Sequence, residues 1–244
     1  MIENPMWGGR ISELALTINN PEDPDRPVVQ VLVDGRDPFT EVAPGWGGFD
    51  PNDILGSDSP LLPVPHGRRV AVYRCSCGEA GCGCIAPIIL PSADGRFVHW
   101  LDFGDFVGRF SGPLDTGGGI GEPEGKPWQL PDFRFRHEQY VGEIERASAD
   151  LSYETPRRRT ARLLRERLAP LAPVLPPDLR LRWVVPSWEG EGVALSFDRP
   201  GRDYRQVVLQ LTSRQTDPEA AAADLARQLL GVPPADWARR FGSE

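Results

Sequence analysis

Four cysteines lie within ten residues of one another, and the rest of the chain has none: Cys75, Cys77, Cys82 and Cys84. The apolar segments 70–74 and 85–90 on either side predict two β-strands, and residues 78–81 predict the loop that joins them. This hairpin would pair the cysteines across its strands, Cys77 with Cys82 and Cys75 with Cys84. Because side chains alternate along a strand with a period of two, all four thiols are expected on one face.

Four thiolates on one face are the ligand set of a structural zinc site, because Zn²⁺ is commonly held by four sulfur or nitrogen ligands in a tetrahedron. Such a closed site stabilises a fold and leaves no coordination position for catalysis. The same closeness of opposed side chains permits disulfides between the facing cysteines. The sequence therefore predicts structural zinc at the four cysteines, and it leaves packed or oxidised thiols, redox chemistry and another metal open.

A second group of polar residues follows the hairpin in the segment 99–105. His99, Asp102 and Asp105 have the side chains of general acids and bases, and the two carboxylates could also bind a hard cation. Each also has an ordinary structural place, since His99 falls inside a predicted strand and the aspartates fall at its end. We therefore predict no catalytic residue, and an enzyme with a polar site at these three residues is the alternative.

Arginines crowd one predicted helix, where Arg158, Arg162 and Arg165 share a face. RNA, DNA or an acidic protein could bind such a basic stripe, although a solvated helix face is the default interpretation. The net charge of −8 makes nucleic acid an unfavourable partner for the whole chain, because backbone binding requires cations against phosphates. An RNA-binding module that uses this helix is thus a second alternative.

The charges are unevenly distributed along the chain. Residues 1–130 hold 18 acidic and 9 basic residues, whereas residues 131–244 hold 17 acidic and 18 basic residues. An acidic first half would suit a basic protein partner, and a solvated acidic surface would also account for it. No apolar run reaches about 18 residues and the first residues lack a signal-peptide pattern, so we expect a cytoplasmic protein with no membrane segment.

The chain is expected to have three parts. Residues 1–127 predict a β-rich domain, because apolar residues alternate at 14–18, 29–33 and 97–103 in addition to the hairpin. Within it, residues 36–66 predict either a long ordered loop or a short helix near Pro51. Glycine and proline are frequent at residues 111–127, which predicts a flexible connection.

Residues 128–172 predict a pair of helices. Apolar residues recur at helical spacing between His137 and Leu151, and a second helix is marked by Thr155 as N-cap and Pro156 as first residue. Residues 173–244 predict a small α+β unit, in which three alternating stretches form an antiparallel meander. A helix from Pro218 to Leu230 follows, with Thr216 and Glu219 spaced as a capping box.

Several segments resemble an uncharacterised protein family of high-GC, actinobacterial-type bacteria. The most specific is Cys-Ser-Cys-Gly-Glu-Ala-Gly-Cys-Gly-Cys at residues 75–84, and Val98-His99-Trp100 and residues 154–164 are similar to the same family. The resemblance covers about residues 28–168 and implies an architecture without an activity, a substrate or a catalytic residue. We therefore predict an α+β protein, a non-catalytic cytoplasmic binding or accessory protein in the manner of bacterial immunity proteins, whose zinc-bound hairpin is structural.

Overall fold

The computed structural model describes residues 10–19, 23–110, 112–114, 125–170, 179–188, 190–199 and 205–242. The chain divides into two compact units, Met1–Tyr153 and Glu154–Glu244. This division does not coincide with the predicted boundaries after residues 127 and 172, because the two central helices belong to different units. Most of the glycine-rich stretch at 111–127 lies outside the described residues.

The first unit contains nine strands and two helices in its described part. They are β1 (Ile11–Ser12), β2 (Leu14–Asn19), β3 (Val28–Val33), α1 (Pro51–Ile54), β4 (Arg68–Arg69), β5 (Tyr73–Arg74), β6 (Cys84–Pro91), β7 (Phe97–Asp105), β8 (Lys126–Pro127), β9 (Phe133–Arg136) and α2 (His137–Ala149). Seven strands form one sheet in the order β1-β9-β7-β6-β4, with β5 also beside β6 and β8 beside β7. Strands β2 and β3 form a separate antiparallel pair.

The predicted β-rich organisation of this unit is confirmed, with one difference next to the cysteines. Of the predicted strand at 70–74, only the last two residues form a strand, β5, and the short strand β4 lies just before the predicted segment. Between them, the N–H groups of Val70 and Val72 still donate to carbonyl oxygens of β6, at 3.0 and 2.8 Å. The open choice for residues 36–66 is resolved near Pro51 by helix α1, whose N-cap Asp50 accepts a hydrogen bond from the N–H of Asn52.

Aromatic residues of β7, β9 and α2 form the centre of the first unit. Trp100, Phe135 and Tyr140 are fully buried, with ring centroids 5.4 to 6.2 Å apart. The indole N–H of Trp100 donates to the hydroxyl of Tyr140 at 2.9 Å, and that hydroxyl donates to the carbonyl oxygen of Leu61 at 2.8 Å. Because every polar atom of this group has a partner, the aromatic rings can be buried without an unsatisfied donor.

Side chains of helix α2 form hydrogen bonds with backbone groups along one edge of strand β2. Gln139 exchanges two hydrogen bonds with the backbone of Leu14, at 3.2 and 2.6 Å. One turn later, Glu143 accepts from the N–H of Leu16 at 2.6 Å, and Arg146 donates to the carbonyl oxygen of Leu16 at 2.7 Å. An exposed strand edge would pair with other chains, and here helix side chains occupy its donors and acceptors.

The second unit contains a three-stranded sheet, three α-helices and a short 3₁₀ helix (Pro234–Asp236) in its described part. They are α3 (Pro156–Leu168), β10 (Arg180–Pro186), β11 (Val193–Arg199), β12 (Arg205–Leu211), α4 (Pro218–Leu230) and α5 (Trp237–Phe241). The sheet is antiparallel in the order β10-β11-β12, as predicted, and its apolar residues share a core with α3 and α4. Thr155 caps α3, but Asp217 instead of Thr216 caps α4, because its carboxylate accepts from the N–H of Ala220 at 2.8 Å.

Glu143→Gln tests the side-chain completion of the β2 edge. Burial alone would raise the pKa of Glu143, but hydrogen bonds from Arg146 and from the N–H of Leu16 hold it below the ordinary value of 4.5. A carboxyl with a lowered pKa stabilises the folded state above its unfolded-state pKa, and this stabilisation is lost as the pH falls through its folded-state pKa. We expect the variant to lower the free energy of unfolding by about 1 kcal/mol at pH 7.

The difference in the free energy of unfolding between the native protein and Glu143→Gln should decrease as the pH falls below 4.5, because protonation removes the same charge from the native side chain. Urea unfolding followed by circular dichroism at several pH values measures it. Glu145→Gln is the matched control, since Glu145 lies in the same helix and is exposed. A stability difference for Glu143→Gln that stays constant between pH 7 and pH 3 would contradict the assignment.

Candidate metal centre

The register between β5 and β6 differs from the predicted one by one residue. Arg74 pairs with Cys84, and the N–H of Cys75 donates to the carbonyl oxygen of Gly83 at 3.0 Å. The predicted pairing of Cys75 with Cys84 is therefore wrong, and a shift of one residue moves a side chain to the other face of a strand. The predicted register would have placed charged Arg74 opposite Ile85, which is fully buried and pairs instead with buried Tyr73.

Three of the four cysteines come together. The sulfur atoms of Cys75, Cys77 and Cys82 all lie within 4.8 Å of one another, and this is the one such group of potential metal ligands in the described part of the chain. Cys77 and Cys82 are exposed, and Cys75 is half-buried. Cys84 is fully buried and is not a member of the group, so the predicted four-cysteine set is reduced to three.

Two consecutive tight turns bring the three sulfurs together. The N–H of Gly78 donates to the carbonyl oxygen of Cys75 at 2.9 Å, and the N–H of Cys82 donates to that of Glu79 at 3.1 Å. Gly78 closes the first turn with a φ of +86°, a left-handed conformation that other residues adopt only with strain. The chain therefore reverses twice within eight residues, which brings Cys82 back to Cys75 and Cys77.

Contacts from outside the loop fix this shape. The guanidinium of Arg74 donates to the carbonyl oxygen of Gly78 at 2.6 Å, and the N–H of Gly108 donates to that of Gly81 at 2.7 Å. Between these two anchors, Ala80 is buried. On the strand side, Trp46 lies so close to Gly83 that a Cβ there would be 2.7 Å from its ring. None of these contacts uses a cysteine sulfur.

The backbone on both sides of the cysteines is also held. Gly47 and Arg74 exchange backbone hydrogen bonds of 3.1 and 2.9 Å, so a segment far away in sequence pairs with the free edge of β5. The N–H of Cys84 donates to the carboxylate of Asp105 at 2.9 Å, and the indole of Trp128 donates to its carbonyl oxygen at 3.0 Å. No local sequence pattern indicates these long-range contacts, although they hold the two strands in this register.

The three thiols influence one another's ionisation. Hydrogen bonding from Cys75 lowers the pKa of Cys77, whereas hydrogen bonding to Cys75 and Cys77 raises the pKa of Cys82. Burial raises the pKa of Cys84 to about 11. One thiolate can therefore form readily and be shared by its neighbours, but three adjacent thiolates require a cation among them.

The donor set fits a thiophilic metal ion. Thiolates select Zn²⁺, Cu⁺ and iron–sulfur clusters over the hard ions Mg²⁺ and Ca²⁺. A zinc–sulfur bond of about 2.3 Å places the sulfurs of a tetrahedral site about 3.8 Å apart, so ligands within 4.8 Å of one another need to move little. The loop can thus supply three ligands, and the fourth position of a tetrahedral ion is left to a ligand from outside this group.

The alternative polar site does not assemble. Asp102 has its carboxylate bound by Arg69, and Asp105 accepts the N–H of Cys84. His99 is buried in β7 opposite Arg134, and burial lowers its pKa. In the described part of the chain, these three residues do not form a group that could hold a metal, and each has the structural place that its position in the sequence suggested.

The predicted basic stripe on α3 is not a continuous cationic surface. Arg158 is 1% exposed, although helical spacing predicted it beside the other arginines on an accessible face. Arg162 binds the carboxylates of Glu154 and Glu166, at 2.6 and 2.8 Å, and these bonds raise its pKa. Arg165 alone of the predicted trio is exposed. Helical periodicity placed the three arginines on one face, but it could not predict how much of each side chain is covered.

Comparisons with known protein families, with curated proteins and with solved structures find no match. In the described part of the chain, no helix has both the length and the apolar character that crossing a membrane requires. The proposed function is therefore based on the geometry of the cysteine loop.

The different environments of the cysteines predict their reactivity. With the native protein and limiting iodoacetamide, we expect Cys77 to be alkylated at least about tenfold faster than Cys84, because alkylation needs an accessible thiolate and Cys77 is exposed with a lowered pKa. Peptide mass spectrometry over a time course measures each rate. In denaturant, all four rates should become similar, which provides the control. Rapid modification of Cys84 in the folded protein would show that it lies with the other three.

Proposed function

We propose that this protein binds a thiophilic metal ion through the thiolates of Cys75, Cys77 and Cys82, and that it serves as a non-catalytic cytoplasmic binding or accessory protein. The observation that carries the proposal is the convergence of three sulfurs within 4.8 Å in a loop that other residues hold in place. Zinc is the first candidate ion, because it is abundant in thiolate sites and has no geometric preference of its own.

The number of cysteines favours a metal over a disulfide. A disulfide between any two of the three sulfurs would leave the third as a lone exposed or half-buried thiol, whereas a single ion uses all three. In a reducing compartment, a dense cysteine cluster is more often a metal site than a set of disulfides. Exposure also supports binding, because an ion can reach Cys77 and Cys82 from solvent without opening the fold.

A non-catalytic role fits the surroundings of the loop. The carboxylates of Asp102 and Asp105 are engaged by Arg69 and by the backbone of Cys84, so neither is a ready acid or base next to the sulfurs. The acidic first half of the sequence supports a basic protein as partner, as an immunity protein would have. That partner stays a prediction from charge alone.

Elemental analysis of single-cysteine variants tests the proposed site. The protein is purified without a metal-affinity step, loaded with zinc and passed through a desalting column. We expect about one zinc per chain for the native protein, and a loss of at least about tenfold in zinc affinity for Cys77→Ser and Cys82→Ser, because each removes one of three ligands. A competition titration with a chromophoric chelator gives the affinities.

Cys84→Ala is the matched control, because it removes a neighbouring thiol that lies outside the group. Circular dichroism spectra confirm that each variant is folded before its zinc content is compared. The control should keep the zinc stoichiometry of the native protein. A native protein that retains no zinc, or equal losses in Cys84→Ala and Cys77→Ser, would overturn the proposed site.

A further inference from the structure

The ligand count distinguishes two kinds of metal site. Structural zinc sites have four protein ligands and are closed, whereas sites with three protein ligands keep a position for water or another molecule. Only Cys75, Cys77 and Cys82 form a ligand group in the described part of the chain. Cys84, the obvious fourth ligand in the sequence, is held away by the register of β5 and β6.

The residues that fix the loop do not depend on a metal ion. Arg74 and Gly108 bind the carbonyl oxygens of Gly78 and Gly81, and Ala80 is inserted into the core. A structural zinc ion contributes the free energy that folds its loop, so its loss unfolds the site. Here the protein's own hydrogen bonds and packing supply that ordering, and the loop can keep its shape whether or not the ion is bound.

Two of the three proposed ligands are accessible from solvent. Cys77 and Cys82 are both exposed, so a second molecule can approach the ion from the same side as solvent. An incoming ligand could bind such an ion before a resident sulfur leaves, because zinc with three protein ligands keeps an open position and can expand to five-coordinate. A closed four-thiolate site offers no such entry.

We infer that the cysteine loop is a transfer site, which passes its metal ion to an acceptor that presents thiolates; this inference rests on the proposed function. In the first step, the acceptor thiol would lose its proton to solvent, its sulfur would bind the ion at the fourth position, and the water molecule held there would leave. In the second step, one of the three cysteine sulfurs leaves the ion and takes up a proton. Repetition with further acceptor sulfurs moves the ion completely, and no electrons are exchanged.

Stopped-flow measurement of zinc transfer tests the mechanism. Zinc-loaded protein is mixed with an excess of a chromophoric zinc chelator, over a tenfold range of chelator concentration, with and without glutathione as an added monothiol. Transfer by addition predicts an initial rate that rises about tenfold over this range and rises further with glutathione. A rate that does not change with either concentration would show that the ion must first dissociate, and it would overturn the inference.

Three controls distinguish a failure of the transfer mechanism from a failure of the proposed metal site. If the protein binds no zinc at the start, the proposed metal site itself is wrong, whereas tight binding with a concentration-independent rate contradicts the transfer site alone. Cys84→Ala should show the same concentration dependence as the native protein, because Cys84 is not a ligand. Protein stripped of metal by chelation should keep its circular dichroism spectrum and its cooperative unfolding, and its unfolding on chelation would identify a structural clamp instead.

Discussion

The pairing of Arg74 with Cys84 determines which cysteines lie together in the loop. With this register, Tyr73 and Ile85 meet in the core, and Cys84 is buried away from the three other cysteines. A register shifted by one residue would bring Cys84 to the other face and place Arg74 opposite a fully buried isoleucine. In the observed register, Cys75, Cys77 and Cys82 are the one group of potential metal ligands in the described part of the chain.

The rest of the first unit maintains this register from a distance. Gly47 pairs with Arg74 on one side, and Asp105 and Trp128 hold the backbone of Cys84 on the other. Cys84 belongs to the same core as Trp100, and Trp128 packs against that core. A domain of this size buries enough apolar surface to fold without a staple. Stability therefore comes from the core, and the proposed binding and release of an ion by the loop would not require the domain to unfold.

Local patterns in the sequence were sufficient to predict most of the helices and strands. They were insufficient to predict the arrangement of the cysteines. Alternation correctly predicted β2, β3 and the C-terminal meander, and helical spacing with Pro156 and Pro218 predicted α3 and α4. The register of the hairpin could not be predicted in this way, because Gly47, Asp105 and Trp128 are distant in sequence from the cysteines. Likewise, helical spacing placed Arg158 on a face with Arg162 but held no information on its burial.

In the proposed site, the metal ion would have three cysteine ligands and one position for a ligand from outside the loop. X-ray absorption at the zinc edge of the loaded protein measures the number and type of atoms around the ion directly. We predict three sulfur atoms at about 2.3 Å from the zinc ion and one oxygen or nitrogen atom at about 2.0 to 2.1 Å from it. Four sulfurs around the zinc would contradict it, because Cys84 would then have joined the site through a different register.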